Sequence, residues 1–336
     1  MKGKRIENGD LIKTLDVYLK ETRGILFAFD VENKNYKTKM FKELPKDIRF
    51  LNPIFYVNSS IYLRRVFSES IKIVAILRPC ETRAYVELTK LSQIESRSVI
   101  CGSFDCFGTV SSKKEDFSFP YDPRELKVFL ESSGLVRYAC QVCGHKEGIF
   151  GDFGLRYDKE WNLWFIPYTE RGRVLFDLIP SEETEIPFEL EVKEKKDETT
   201  FKTSLSEFRK DFERCIMCLN CKNMCPVCFC VDCLFNTLEY LPKGDELINT
   251  ILRCGNTELP KNVEIYHFIR MYHVSQTCVG CGSCEEACPQ SIPLTKYFKG
   301  ISGRLQGIFD YLPGKNFDEK IPYTTFKEDE LPYAED

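Results

Sequence analysis

Apolar and polar positions follow recognisable periods along the first half of the chain. Residues 71–76 form an apolar, β-branched run that ends at Arg78-Pro79-Cys80, and a second apolar run extends from Ser98 to Phe104. The residues between them have helical periodicity, with one apolar face made by Ala84, Leu88 and Leu91. This order predicts a strand–helix–strand crossover, which is almost always right-handed and makes the two strands parallel.

Similar patterns continue to the C-terminal part of the chain. Residues 123–133 predict a helix, because Pro123 suits its first turn and Gly134 follows its end. Residues 147–178 predict a strand-rich stretch, and residues 204–218 begin a new helical pattern. We therefore predict an α/β N-terminal domain, with a mixed or parallel sheet and helices, followed by an α-helical domain.

The domain boundaries follow from length and composition. A chain of 336 residues suits two domains, and residues 181–200 are charge-rich and poor in large apolar side chains, which is typical of a solvated linker. After residue 310 the chain mixes proline, acidic and aromatic residues without a period, which indicates a tail that wraps a neighbour or is loosely ordered. The predicted segments are a domain over 1–180, a linker over 181–203, a helical domain over 204–310 and a tail over 311–336.

Charge and hydropathy exclude several classes of function. The net charge is −4 and basic runs are missing from the sequence, which argues against a nucleic-acid partner. No stretch reaches the ~18 apolar residues of a membrane span, and the N-terminal segment lacks the apolar core of a secretion signal. We expect a cytoplasmic protein.

The cysteine content changes the picture. The sequence has 17 cysteines but only three histidines. In a reducing compartment clustered cysteines bind metal more often than they form disulfides, and so few imidazoles disfavour mixed Cys/His zinc sites. All-thiolate sites are therefore the expected chemistry.

Two copies of one cysteine motif dominate the second half. Each reads Cys-x2-Cys-x2-Cys-x3-Cys-Pro, the spacing of two-cluster ferredoxins, in which the fourth cysteine binds the other cluster. Zinc knuckles are the alternative, but they rarely show such a matched pair. The 52 residues between the motifs contain helix-like segments and resemble the α-helical ferredoxins of multi-subunit reductases. The predicted ligand sets are Cys215, Cys218, Cys221 and Cys288 for one [4Fe–4S] cluster, and Cys278, Cys281, Cys284 and Cys225 for the other.

Four cysteines of the N-terminal domain suggest a third cluster. Cys80 and Cys106 each follow a predicted strand of the parallel pair, at the edge where α/β sheets bind ligands, and Cys140-x2-Cys143 adds a metal-type pair. The alternative is that these four are ordinary core or loop thiols, as we expect for Cys101 inside the second strand. A further group is either another thiolate site or a set of buried thiols: Cys228, Cys230, Cys233 and Cys254.

Several segments also resemble a known family. LRPCETRAYVEL, DCFGT, CQVC, FGDFGLRYD, TERGRVLF and the two cysteine motifs make the chain similar to the beta subunits of coenzyme F420-reducing hydrogenases and F420-dependent formate dehydrogenases, most of all the latter. The resemblance implies an N-terminal domain with a flavin and a [4Fe–4S] cluster, and hydride exchange between the flavin and coenzyme F420. It places that cluster at Cys80, Cys106, Cys140 and Cys143. It also implies a partner that carries out formate or hydrogen chemistry.

Two arginines are candidates for contacts with the FAD phosphates. The glycines at 148–154 are candidates for positions where the backbone approaches the cofactor closely. The alternative is that the arginines cap a helix or pair with Glu81 and Glu87, and that the glycines only form turns. No catalytic acid or base stands out. The candidate set is Arg78, Arg83, Gly148, Gly151, Gly154, Thr169 and Gly172.

Two functions remain open at this point. The first is a converter in which a flavin exchanges hydride and the clusters pass single electrons to a catalytic subunit. The second is a flavin-free electron wire that docks a formate dehydrogenase or hydrogenase onto a heterodisulfide-reductase-type complex. It is favoured because residues 1–70 contain only Gly3, Gly9 and Gly24. F420, NAD(P) and ferredoxin are all open as the soluble carrier.

Overall fold

The computed structural model describes residues 1–30, 37–44, 50–66, 71–113, 118–190, 203–237, 244–255 and 263–325. An N-terminal α/β domain with a mixed sheet is followed by a helical region, which confirms the predicted fold class. The strands are β1 (Lys2–Ile6), β2 (Ile25–Asp30), β3 (Lys37–Phe41), β4 (Ile54–Phe55), β5 (Ile73–Leu77), β6 (Val99–Phe104), β7 (Val110–Ser111), β8 (Phe153–Tyr157), β9 (Leu163–Pro167) and β10 (Glu183–Glu185).

Helices connect the strands and make up most of the second region. In the first part of the chain they are α1 (Asn8–Thr22), α2 (Ser60–Val66), α3 (Pro79–Lys90), α4 (Pro123–Ser132), α5 (Tyr138–Gln141) and α6 (Glu170–Leu178). In the second they are α7 (Leu205–Phe212), α8 (Asn220–Asn223), α9 (Gly244–Cys254), α10 (Val263–Val274), α11 (Ser283–Glu286) and α12 (Leu294–Ile308). Short 3-10 helices lie at Ser96–Ser98, Leu234–Asn236 and Pro322–Thr324.

The main sheet has the order β10-β1-β9-β8-β6-β5-β2-β3. Its centre, β2-β5-β6-β8, is parallel, and the strands on both sides are antiparallel. β5 and β6 pair in parallel with Ile73 opposite Val99, and α3 connects them, as the apolar runs predict. The carboxyl ends of β5, β6 and β8 therefore lie at one edge of the sheet, which is where ligands of such sheets bind.

Helices cover both faces of the sheet. α1 and α6 pack on one face, where Leu11, Leu15 and Phe176 are buried. α3 packs on the other through Tyr85 and Leu88. Because both faces are covered, every residue of β5 and β6 is buried, and Cys101 is part of this core as expected.

Two details differ from the sequence prediction. Residues 147–178 are not strands throughout, because α6 occupies the last part of that stretch. The Thr169 hydroxyl accepts a hydrogen bond from the Gly172 N–H and so caps this helix. In addition, β10 lies inside the predicted linker and pairs with β1, with Lys2 opposite Glu185. Residues 191–202 of that linker lie outside the described residues.

Aromatic side chains form the core of the helical region. Phe208 and Phe212 of α7 stack on each other, and Tyr297 of α12 packs edge-on against both. α9 and α10 are the two helices expected between the cysteine motifs. None of the helices in the described parts of the chain is both long and apolar enough to span a membrane.

The beginning of the tail returns to the N-terminal domain. The Tyr311 hydroxyl and the Gly314 N–H both donate to Oε1 of Glu87 on α3, each at 2.7 Å. The Arg83 Nε donates to the Pro313 carbonyl oxygen, also at 2.7 Å. Tail residues 326–336 lie outside the described part of the chain.

Candidate iron–sulfur centres

Four cysteines of the first ligand set line one small cavity in the helical region. We call Cys215, Cys218, Cys221 and Cys288 the outer group. Cys215, Cys221 and Cys288 are buried, whereas Cys218 is exposed. Burial, together with the charges of the other three thiols, raises the pKa of Cys215 to about 11. The structure thus brings the fourth cysteine of the second motif to the first three cysteines of the first motif.

The second ligand set lies next to it. We call Cys225, Cys278, Cys281 and Cys284 the middle group. Burial, followed by the charges of neighbouring thiols that include Cys284 and Cys278, raises the pKa of Cys225. Burial also raises the pKa of Cys281 to about 11, and Cys278 adds to this shift.

The two motif loops have the same backbone geometry. Met217 and Leu219, which flank Cys218, have φ values of 52° and 59°, and Gly280 and Gly282, which flank Cys281, have 68° and 69°. A left-handed residue on each side of the central cysteine turns the chain back on itself, and the short helices α8 and α11 begin directly afterwards. Since side chains at positive φ cost about 1 kcal/mol or more, the first loop keeps this geometry at some strain.

Four cysteines of the N-terminal domain form the inner group. Cys80 lies in the first turn of α3, Cys106 follows β6, Cys140 lies on α5, and Cys143 follows it. Burial, together with the charges of Cys140 and Cys143, raises the pKa of Cys106 to about 12. Cys80 is also within electrostatic reach of Cys106 and Cys143. The expected strand-end cysteines and the Cys-x2-Cys pair therefore meet at the carboxyl edge of the sheet.

The polar surroundings of Cys140 differ from those of the other inner thiols. Burial alone would raise its pKa, but the Arg137 guanidinium and the Thr109 hydroxyl outweigh burial and lower it. The Thr109 Oγ1 lies 3.2 Å from the Cys140 Sγ, and the Arg137 Nη2 lies 3.7 Å from the same sulfur. These contacts favour a thiolate at this position.

The three groups form a series across the domain interface. Burial raises the pKa of Cys80 in the inner group most, and the charge of Glu81 raises it further. The charge of Cys281 in the middle group adds to both effects. Cys284 of the middle group is likewise within electrostatic reach of Cys221 in the outer group. Each group presents four thiols, which is the donor set of a [4Fe–4S] cluster. The order is inner, middle, outer.

Polar contacts fix the interface around this series. The Glu286 Oε1 accepts hydrogen bonds from the Ser111 hydroxyl and from the backbone and hydroxyl of Ser112, at 2.8 to 2.9 Å. The Lys113 Nζ donates to the Cys288 carbonyl oxygen at 2.7 Å, and the Lys299 Nζ donates to the Val142 carbonyl oxygen. Partly buried contacts of this kind join the two domains and so hold the groups in one arrangement.

Three side chains of α10 face the outer group. The Arg270 Nη1 donates to the Cys221 Sγ at 3.0 Å, the His267 Nε2 lies 3.4 Å from the Cys215 Sγ, and the Tyr266 hydroxyl lies 3.6 Å from the Cys221 Sγ. Burial and the charge of Arg270 lower the pKa of His267 to about 3, so its imidazole is neutral. The sequence analysis identified α10 but not these contacts. The signal that could have found them is the spacing of three and four residues between these side chains, which places them on one face of a helix.

The remaining cysteines lie near the middle group or at the surface. Cys228 is close enough to Cys225 and Cys233 for their charges to interact. Cys230 and Cys254 are exposed. Within the described residues, no three Cys, His, Asp or Glu side chains converge closely enough to hold a single metal ion.

The candidate flavin glycines are closely packed. An added Cβ would lie 2.9 Å from the Phe104 carbonyl carbon at Gly148, 2.4 Å from the Cys101 oxygen at Gly151 and 2.1 Å from the Gly148 oxygen at Gly154. At Gly172 it would lie 2.0 Å from the Asp152 oxygen. These distances, and the capping role of Thr169, are explained by close packing of β6, β8 and α6.

The two candidate arginines are buried and bound to protein groups. Arg78 forms an ion pair with Glu81 at 3.1 Å and donates to the Ile54 carbonyl oxygen, which agrees with the cap-and-pair alternative. It also lines a cavity of about 310 Å³. Arg83 donates to carbonyl oxygens of Pro313 and Val279, and it lies beside Cys143 and Cys278 at the junction of the inner and middle groups.

A larger cleft opens at the same edge of the sheet. Its volume is about 940 Å³, which is within the range of cofactor sites. Phe107, next to Cys106, contacts the rings of Tyr157 and Trp161 in the cleft wall, with centroids 6.5 and 5.8 Å away. The cleft therefore adjoins the inner group. The sequence analysis missed it, because its walls come from separate segments that include Arg5, Phe50, Tyr121 and Asn162.

Comparison with known proteins gives a family match in the helical region and similarity to beta subunits over most of the chain. Residues 211–292 match the family of 4Fe-4S dicluster domains. The chain is 28% identical over 308 residues to the F420-dependent formate dehydrogenase subunit beta of Methanocaldococcus jannaschii, with 75% of each chain covered. Over three quarters of its length the chain is therefore similar to such a beta subunit.

A second relative supports the same relationship. The F420-dependent formate dehydrogenase 1 subunit beta of Methanococcus maripaludis is 26% identical over 309 residues, with 76% of each chain covered. The dicluster match and the similarity to these beta subunits together indicate an iron–sulfur electron-transfer subunit.

Proposed function

We propose that the chain passes electrons between a flavin in the 940 Å³ cleft and a catalytic partner subunit, through three [4Fe–4S] clusters held by the inner, middle and outer groups. The observation that carries this proposal is the unbroken series of twelve thiols across the interface, which begins beside the cleft and ends at the exposed Cys218. A surface thiol at the end of the series suits exchange with a partner.

The residues of the chain have defined tasks in this function. The thiols hold the clusters, the Arg137 contact with Cys281 keeps the inner and middle groups at a fixed separation, and the Lys113 contact with Cys288 joins the N-terminal domain to the outer group. Phe107, next to Cys106, packs against two aromatic rings of the cleft wall and so connects the cleft to the inner group. A bound flavin supplies the exchange of one hydride for two single electrons, which iron–sulfur clusters cannot perform.

The soluble hydride carrier in this proposal is coenzyme F420, because the relatives are named as F420-dependent. The partner is a formate dehydrogenase catalytic subunit, in line with the same names. Formate or hydrogen chemistry needs a centre other than clusters of cysteine thiolates, so that chemistry belongs to the partner.

A flavin-free wire is the second candidate, in which the chain docks such a catalytic subunit onto a heterodisulfide-reductase-type complex. The packing of Gly148, Gly151, Gly154 and Gly172 favours it, since these glycines are explained without a flavin. The cleft favours the first candidate.

Anaerobic purification, with iron, sulfide and flavin measured on one sample, distinguishes the converter from the flavin-free wire. The converter predicts about twelve irons per chain, one flavin, and bleaching by reduced F420. Trp161→Ala should lower the flavin content and leave iron unchanged, whereas Tyr272→Ala, a 79% exposed aromatic outside the cleft wall, should change neither. Full iron loading without flavin and without bleaching would refute the converter and support the flavin-free wire.

A further inference from the structure

Arg270 is one of the largest fully buried side chains of the protein, with 1% of its surface exposed. Its Nη1 donates to the Cys221 Sγ and its Nη2 to the Cys221 carbonyl oxygen, both at 3.0 Å. Its guanidinium also lies over the rings of Phe298 and Tyr266, at 4.7 and 5.7 Å from their centroids. These contacts hold the charged group in one position.

The third guanidinium nitrogen is buried as well. The Arg270 Nε has no hydrogen-bond partner among the described residues. A buried cation needs an anionic neighbour, and among the side chains that contact Arg270 the Cys221 sulfur, as a cluster ligand, supplies that charge.

A cation at such a position has a defined effect on electron transfer. An N–H donor to a ligand sulfur withdraws electron density from the cluster, and a fixed positive charge stabilises the added electron. Because the guanidinium is buried, solvent and salt screen it weakly. Both effects raise the reduction potential of the cluster whose ligand sulfur accepts the hydrogen bond.

We propose that Arg270 is a positioning residue that raises the reduction potential of the outer cluster. This rests on the proposed function, in which the outer group holds a [4Fe–4S] cluster. A higher potential at the outer cluster favours electron transfer towards the exposed end of the series. The inner group has a different cation beside it, because the Arg137 Nη2 lies 3.7 Å from the Cys140 Sγ.

The test is a potentiometric titration of the full chain, followed by electron paramagnetic resonance, with iron and sulfide measured on each sample. Arg270→Gln should shift the outer potential to a more negative value and leave the inner one in place. Arg270→Lys keeps the charge but cannot span both hydrogen bonds, so it should shift the outer potential less. Arg209→Gln is the matched control. Arg209 forms a surface ion pair with Glu264, which lies on α10 together with Arg270.

The outcomes distinguish the two levels of the proposal. Wild-type protein without cubane iron and sulfide would refute the proposed function and this inference together. A loaded Arg270→Gln protein whose outer potential equals that of wild type would overturn the inference alone. Should glutamine prevent cluster loading, Arg270→Lys decides, because unchanged potentials in that loaded variant would also overturn it.

Discussion

Arg137 donates a hydrogen bond from its Nη2 to the carbonyl oxygen of Cys281, 3.0 Å away. The bond joins the N-terminal domain to the motif loop of the middle group, and the same guanidinium lies 3.6 Å from the ring centroid of Phe55. Arg137 therefore belongs to the interface that sets the separation of the inner and middle groups.

Removing this contact should weaken the interface. Arg137→Met leaves the Cys281 carbonyl oxygen and the Thr109 hydroxyl without their charged partner, which costs about 2 kcal/mol. Anaerobic thermal scans should show a midpoint several degrees lower than that of wild type. Arg304→Met, at an exposed position of α12, is the control and should leave the midpoint unchanged. Equal midpoints for both variants would contradict the role of Arg137.

The crossed grouping of the cysteines predicts paired phenotypes. Cys288→Ser should perturb the same cluster spectrum as Cys218→Ser, because both thiols line the outer cavity. Cys225→Ser should match Cys278→Ser, because these two thiols lie together in the middle group. Electron paramagnetic resonance of the four reduced variants provides the comparison. If Cys288→Ser instead matched Cys278→Ser, each motif would hold its own cluster.

A substitution at Gly172 distinguishes a packing role of this glycine from a role in flavin binding. A Cβ there would lie 2.0 Å from the Asp152 carbonyl oxygen, so Gly172→Ala should destabilise the protein by about 3 kcal/mol. Gly303→Ala is the matched change inside α12, where a Cβ meets nothing within 4 Å, and helix propensity should make it stabilising by about 1 kcal/mol. Stability and flavin content are measured on both. A stable Gly172→Ala protein that has lost only flavin would support the flavin contact.

Lys4 stabilises the end of α6 from a neighbouring strand. Its Nζ donates to the carbonyl oxygens of Phe176 and Ile179, at 2.8 and 2.7 Å, where the helix dipole favours a cation. Lys4→Met removes both hydrogen bonds and leaves the Phe176 carbonyl oxygen only the bond from the Ile179 N–H, so it should cost about 2 kcal/mol. Lys2→Met, at an exposed position of the same strand, should cost almost nothing. Denaturation under anaerobic conditions compares the two, and similar losses for both would refute this account.

Local sequence patterns were sufficient to predict the elements whose structure depends mainly on neighbouring residues in the chain. The apolar runs of β5 and β6 and the periodicity of α3 predicted the parallel crossover, because strands buried on both faces are apolar throughout. The strand ends then placed Cys80 and Cys106 at one edge. In the motif loops, short spacing fixes which thiols lie together.

Elements that depend on tertiary contacts were not predictable in this way. β10, with the sequence Glu-Thr-Glu, is an exposed edge strand whose pairing with β1 leaves no apolar pattern. α6 is a helix because Leu175 and Phe176 bury against the sheet and Thr169 caps it. The cleft is assembled from distant segments, so no single motif encodes it.

The return of the tail to α3 has a consequence for biosynthesis. Glu87 and Arg83 are buried in the N-terminal domain, but their partners Tyr311, Pro313 and Gly314 come after the dicluster region in the chain. While a ribosome is still making the helical region, these two side chains lack those hydrogen bonds. The hydrogen bonding of the α/β domain is therefore completed only after residues 311–314 have been synthesised, although this domain precedes the helical region in the chain.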